Sequence, residues 1–175
     1  MAQRTGFQSL YLSGAGIANY RFGVTDTGIT TLENVLEEVK RICSVSDLPL
    51  LVDIDTGFGD TSMVQKTIKQ MQIHGASAVH LEDQVFNKKG GHIPGKKIIP
   101  LEEMVEKIQA AKEACIDKDF VIMARSDAYA NEGMDGLLKR LEAYIKAGAS
   151  MIFPEALDSL NAYQKVSQSF SIPML

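Results

Sequence analysis

Asp53, Asp55, Glu82 and Arg125 stand where runs of apolar residues give out. The two aspartates lie at the end of Leu50–Ile54, Glu82 follows Ala78–Leu81, and Arg125 follows Phe120–Ala124. Two apart on a strand, Asp53 and Asp55 would point to the same side, and carboxylates placed together repel unless a cation sits between them. With Glu82 they make an oxygen-rich, sulfur-free, histidine-poor set, which suits Mg²⁺ or Mn²⁺ held largely through water. Aspartates at strand ends also serve simply to hydrogen-bond the next turn. The glycine turn Thr56-Gly57-Phe58-Gly59, which lets backbone approach a ligand closely, brings the two readings level. An always-charged guanidinium at the end of an apolar strand is costly unless paired. Arg125 therefore pairs with an internal acid such as Glu155, binds a substrate carboxylate, or does both.

The segment Asn87-Lys88-Lys89-Gly90-Gly91-His92-Ile93-Pro94-Gly95-Lys96-Lys97 is long, glycine-rich and basic. It fits a lid over a site, although composition alone favours a solvated charge run. Of the three histidines, His74 falls at a helix C-terminus, where the dipole accounts for it. His80 shares a strand face with Glu82 as an interior hydrogen-bonded residue, which leaves His92 free to act on a ligand. Cys43 and Cys115 lie in helical patterns outside any metal-binding spacing and are expected to be reduced and buried.

Short apolar runs alternating with helical periodicity must position these groups, and no linker interrupts the alternation. Strands are expected at Ser9–Leu12, Leu50–Ile54, Ala78–Leu81, Phe120–Ala124, Met151–Phe153 and Ile172–Leu175. Their near-continuous hydrophobicity suits strands buried on both faces. Leu32, Val35, Leu36, Val39 and Ile42 share a helical face, with Thr30 and Glu33 as a capping box. Pro100 stands at a first-turn position before Leu101, Met104, Val105, Ile108 and Ala111. Gly75 and Gly148 close two further helices. An echo supports the series: Gly75-Ala76-Ser77 leads to Glu82, and Gly148-Ala149-Ser150 leads to Glu155.

Alternating βα units fit a doubly wound sheet or a (β/α)8 barrel. Ser13, Asp53, Asp55, Glu82, Asp83, Arg125, Asp127 and Glu155 all fall at or just past strand C-termini. In an open sheet they would be strung along an edge, whereas in a barrel they converge on one mouth. The expectation is α/β: residues 1–175 as a single partial TIM-type barrel domain of about six βα units, cut at both ends.

The 175 residues carry 18 Lys and Arg against 22 Asp and Glu, a formal charge of −4, with 45% hydrophobic and 23% charged residues. This mixed, nearly neutral pattern offers no basic field for nucleic acid and no polybasic stripe for a membrane surface. With no long apolar run and no apolar signal core at the start, a cytoplasmic location is expected.

Six linked motifs resemble the isocitrate lyase/phosphoenolpyruvate mutase superfamily, and most of all its methylisocitrate lyases. They are Tyr11-Leu12-Ser13-Gly14, Val52-Asp53-Ile54-Asp55-Thr56-Gly57-Phe58-Gly59, His80-Leu81-Glu82-Asp83-Gln84, Lys88-Lys89-Gly90-Gly91-His92, Met123-Ala124-Arg125-Ser126-Asp127-Ala128 and Phe153-Pro154-Glu155-Ala156. The resemblance covers almost the whole chain and implies an eight-stranded barrel lacking here its first strand, its eighth strand and the C-terminal helices. It also implies a homotetramer for the full-length member, in which the last helix is exchanged between subunits. Ser13, Gly14 and Ala15 match the loop that holds a substrate carboxylate. Asp53 and Asp55 match the Mg²⁺ sites, with Asp26 and Glu82 in the water shell, and Arg125 and Glu155 match substrate contacts. Lys88 to His92 match the mobile catalytic loop, so that Lys88, Gly90, Gly91 and His92 join Arg125 and Tyr11 as candidate catalytic positions. Gly90 stands where the lyases carry the cysteine that protonates the succinate product.

The implied chemistry is Mg²⁺-assisted retro-aldol cleavage of 2-methylisocitrate, a small carboxylate, to pyruvate and succinate. Tyr11 is a candidate base, and activity would be impaired by Gly90. The alternatives are a non-catalytic remnant that keeps the metal and ligand pocket, or another family activity such as isocitrate lyase, dimethylmalate lyase or phosphonomutase. The Gly-His of the loop speaks against the last.

Overall fold

The computed structural model describes all 175 residues. Five parallel strands form one sheet in the spatial order β1-β2-β3-β4-β5. They are β1 Leu10–Leu12, β2 Leu50–Asp53, β3 Ala78–Glu82, β4 Val121–Ser126 and β5 Met151–Pro154. The helices between them are α1 Gly14–Gly16, which runs on as a π-helical segment Ile17–Phe22, then α2 Leu32–Cys43, α3 Thr61–Ile73, α4 Leu101–Glu113 and α5 Tyr129–Ala147. α6 Leu160–Ser169 follows β5.

Each strand pairs with the next in sequence and the order never reverses, so the sheet has no switch point of the doubly wound kind. The helices follow the same order, α2 against α3, α3 against α4, α4 against α5 and α5 against α6. This is the arc of a (β/α) barrel, as the convergence of polar strand ends required. Of the six expected strands, Ile172–Leu175 is reduced to a single parallel bridge between Ile152 and Met174. Pro173 interrupts that stretch, because it has no N–H to give a ladder.

Strand parity divides the side chains. Val52, Ile54, Val79, Leu81, Ile122, Ala124 and Ile152 enter the core with Val64, Ile68, Met104, Ile108, Leu137 and Leu141 of the helices. The alternate positions face the concave side, and register places them as neighbours: Asp53 beside His80, Glu82 beside Arg125, and Arg125 beside Phe153.

Helix ends follow local chemistry, with some shifts of one residue. The capping box of α2 uses Thr31 and Asn34 rather than Thr30 and Glu33. Thr31 Oγ1 accepts from the Asn34 N–H at 3.3 Å, and Asn34 Oδ1 accepts from the Thr31 N–H at 3.0 Å. An amide oxygen serves at that position as well as a carboxylate, which is why the register slips. Pro100 precedes α4 as its cap residue instead of opening its first turn. Gly75 (φ 100°) and Gly148 (φ 120°) close α3 and α5 alike, as expected: the glycine N–H reaches the carbonyl three residues back, Gln72 or Ile145, and the next N–H reaches Met71 or Tyr144. Both cysteines are free but only half-buried, less enclosed than the sequence implied.

Candidate functional site

β2 ends at Asp53, so Asp55 is not a strand residue, contrary to the two-apart argument. It sits past the strand in the left-handed region, at φ 49°. The pair meets nonetheless: Asp53 Oδ1 accepts from the Asp55 N–H at 3.1 Å. Gly14 lies against both, since a Cβ there would stand 2.9 Å from Asp53 Oδ2 and 3.2 Å from Asp55 Oδ1. Lys107 of α4 is buried beneath this turn and donates to the Thr56 carbonyl at 3.1 Å.

The carboxylates are out of balance. Burial and the adjacent Asp53 push Asp55 up to about 6, whereas the charges of Lys88 and Arg125 help to overcome burial and hold Asp53 below the usual range. Burial also raises Glu82 well above the ordinary carboxylate range. Both oxygens of Glu82 and Oδ1 of Asp55 accept no well-formed hydrogen bond; Glu82 Oε2 and Asp55 Oδ1 have ion pairs alone, with Arg125 and Lys88, and Glu82 Oε1 has neither. Buried acceptors left like this favour a cation, so the residues fit a hard divalent ion. No three His, Cys, Asp or Glu side chains converge as a direct ligand set. Asp26, Asp53, Asp55 and Glu82 thus do not form a ready-made ligand set in this state.

One cation is already present. Lys88 Nζ lies 2.7 Å from Asp26 Oδ1 and 2.5 Å from Asp55 Oδ1, with its ammonium almost fully enclosed. Arg125 is held among three acids: Nε is 3.2 Å from Glu82 Oε2 and 3.1 Å from Asp127 Oδ2, and Nη2 is 3.3 Å from Glu155 Oε2. Its guanidinium also lies over the Phe153 ring, 5.2 Å from the centroid. The internal-acid reading of Arg125 therefore holds in this state.

The basic segment is not a solvated run. Lys88 and Lys96 are buried, while Lys89 and Lys97 are exposed. Gly91 lies so close to Glu155 and Arg125 that a Cβ would fall on Glu155 Oε1 and 2.8 Å from Arg125 Nη2. His92 is 89% exposed, with Nε2 3.6 Å from Glu155 Oε1. A Cβ at Gly90 would stand 3.4 Å from Asp26 Oδ2 and 3.3 Å from Ile93 Cδ1.

Tyr11 Oη and His80 Nε2 are 3.0 Å apart, and burial together with the Asp53 carboxylate pushes the phenol up, so Tyr11 is held protonated. Burial lowers His80, which keeps its imidazole neutral. Its Nδ1 has no partner. Ser13 Oγ accepts from the Gly16 N–H at 3.2 Å, and the Gly14 N–H donates to Asp53 Oδ2 at 3.0 Å. Part of the Ser13-Gly14-Ala15 loop is therefore spent on the protein itself. His74 Nδ1 lies 2.6 Å from the Gln70 carbonyl at the end of α3, the helix-end role expected of it.

Sequence reasoning missed the supports. Asp83 is fully buried; its Oδ1 accepts from the Asp127 N–H at 2.8 Å, and its Oδ2 accepts from Ser126 Oγ at 2.7 Å and Tyr144 Oη at 2.8 Å. Arg140 donates to Tyr144 Oη at 3.1 Å and grips Glu132 through two bonds. An aspartate directly after a strand-end glutamate was the available signal for Asp83. Nothing in the sequence separates Lys96 from Lys97.

A barrel arc whose strand C-termini gather carboxylates, an arginine and a glycine-rich loop defines a class of enzyme-like barrel proteins. The family model described as phosphoenolpyruvate phosphomutase matches residues 1–175, and the chain belongs to that family, within the isocitrate lyase/phosphoenolpyruvate mutase superfamily. It is 54% identical to the 2-methylisocitrate lyase of Vibrio cholerae serotype O1, over 95% of this chain and 54% of that protein. With the 2-methylisocitrate lyase of Escherichia coli K12 it shares 49% identity, over 100% of this chain and 60% of that protein. The chain thus spans between 54% and 60% of the length of these relatives. A crystal structure of 2,3-dimethylmalate lyase superimposes with a TM-score of 0.95 at 36% identity, covering 99% of this chain and 59% of the other. Phosphonopyruvate hydrolase in complex with oxalate and Mg²⁺ superimposes at 0.86 with 31% identity, covering 99% and 60%. No helix is long and apolar enough to cross a membrane.

Proposed function

We propose that the protein is a carbon–carbon lyase of the 2-methylisocitrate type, which cleaves its substrate to pyruvate and succinate with the help of Mg²⁺ or Mn²⁺. The observation that carries this reading is the placement of Gly91 against Arg125 and Glu155 while Lys88, from the same loop, reaches Asp26 and Asp55. One loop thereby closes over the carboxylate cluster and the arginine together.

Asp53 and Asp55 would hold the ion, with Asp26 and Glu82 in its water shell. When bound, a divalent ion supplies Lewis-acid polarisation of a 2-hydroxy acid. The chain's own groups do the rest. Arg125 and Lys88 neutralise substrate carboxylates in a site closed to water, and Ser13 and Ala15 line the edge where a carboxylate enters. Tyr11, held protonated, shares a hydrogen bond with His80 Nε2 in the resting state. Its service as a base requires that proton to move to the neutral His80 Nε2 3.0 Å away. His92 lies at the rim beside Glu155. Gly90 brings no proton donor, so the final protonation is slow. We place the protein in the cytoplasm as a homotetramer, without nucleic-acid or membrane partners.

The bare Gly90 also supports a second reading, a non-catalytic protein that keeps the pocket. The two separate in a pyruvate-release assay with 2-methylisocitrate and Mg²⁺. The lyase reading expects slow, metal-dependent release that Gly90→Cys raises by about 10²–10⁴-fold, the usual span of general acid catalysis. Release at one rate in both forms would give protonation to another group. No release from either form, with oxalate still bound, would establish the second reading.

A further inference from the structure

Lys96 is 4% exposed at its side chain, and its Nζ has two partners, both at 2.6 Å: the Gly91 carbonyl and Asp127 Oδ1. An ammonium is not buried without compensation, and here the compensation joins two parts of the molecule. Gly91 belongs to the glycine-rich loop, whereas Asp127 follows β4 and is fixed by the bond from its N–H to Asp83. The other oxygen of Asp127, Oδ2, accepts from Arg125 Nε at 3.1 Å. One carboxylate therefore orients the guanidinium and anchors the loop. The Lys96 backbone is fixed too, since Asn131 Nδ2 donates to its carbonyl at 3.1 Å. Exposed Lys97 next door shows that these contacts come from position rather than from a general attraction of basic residues to the site.

We propose that Lys96 is a positioning residue, whose buried ammonium ties the Gly91 carbonyl to Asp127 and so seats the catalytic loop against Arg125 and Glu155. At position 91 there is no room for a side chain in the seated loop. The seat thus needs both the ammonium from one side and a bare backbone on the other. The consequence for turnover rests on the lyase reading, whereas the seating itself does not.

Amide hydrogen exchange across residues 88–95, measured on the unliganded protein, tests it. In Lys96→Met these amides should exchange about ten- to a hundredfold faster, the effect of losing charge-assisted bonds in a locally opening segment. Amides of β3 and β4 should keep their protection, and Lys96→Arg should restore most of the loop's. Unchanged loop exchange in Lys96→Met, or acceleration spread equally over β3 and β4, would overturn the proposal. Gly91→Ala, which keeps both Lys96 and Asp127 but forces a Cβ onto Glu155 and Arg125, should open the same amides, and a loop as protected as the wild type's would refute the seat. In an active enzyme Lys96→Met should lower kcat with KM held within a few-fold. Absence of turnover in the wild type would defeat the lyase reading and leave the exchange result standing.

Discussion

The Lys88 ammonium lies 2.5 Å from Oδ1 of Asp55, so the loop carries its own cation into the carboxylate cluster. Asp55 is pushed up to about 6 by burial and by Asp53 even with that lysine in place. A mobile divalent ion and a tethered ammonium would then share one carboxylate. Lys88→Met should bind Mg²⁺ about tenfold more tightly or better, because like charges a few ångströms apart repel by kilocalories in a partly buried site. Calorimetric titration measures this, and equal affinities would show that the two cations use different acids.

Gly57 has φ +89°, and an added Cβ would stand 2.5 Å from Val64 Cγ2 and 3.1 Å from Leu81 Cδ1. Gly6 has the same φ, with nothing within 4 Å of the added atom. Gly6→Ala should cost only the left-handed strain, about 1 kcal/mol. Gly57→Ala should add overpacking for a total of about 2–4 kcal/mol. Urea unfolding of both variants isolates the packing part, and matching losses would mean that the core beneath the Asp55 turn yields freely.

Tyr144 gives its hydroxyl hydrogen to Asp83 and receives one from Arg140. Tyr144→Phe strips a donor from a buried carboxylate and should cost about 1–3 kcal/mol in the same measurement. A loss below about 0.5 kcal/mol, the range of ordinary surface changes, would mean that another donor reaches Asp83.

Arg140 holds Glu132 below the ordinary carboxylate range through bonds of 2.7 and 2.8 Å. A depressed carboxyl adds stability above its unfolded value, near 4.3, and loses it as pH falls through the lower folded value. The melting-temperature gap between wild type and Glu132→Gln should therefore be present at pH 7 and close below roughly pH 4. Glu132 is partly open to solvent, so the gap should be small and shrink in salt. A gap that persists at pH 3 would assign the effect to packing.

Sequence alone determined the barrel class and the polar residues at its mouth. Apolar runs of strand length between helical periods leave few topologies, and Asp53, Glu82 and Arg125 stand out because charge is expensive at the end of a buried strand. It also determined, through linked motifs, the family. Only tertiary structure decided who neutralises whom. Strand register sets Glu82 beside Arg125, and a left-handed turn, which residue spacing does not reveal, brings Asp55 back to Asp53. The basic loop is the clearest case. Its four lysines are equivalent in composition, yet Lys88 and Lys96 are buried against acids from other elements while Lys89 and Lys97 face water. Local sequence prefers solvent for all four. The choice is made by partners distant in the chain, Asp55 for one and Asp127 for the other, and those are adjacent only once the strands have paired.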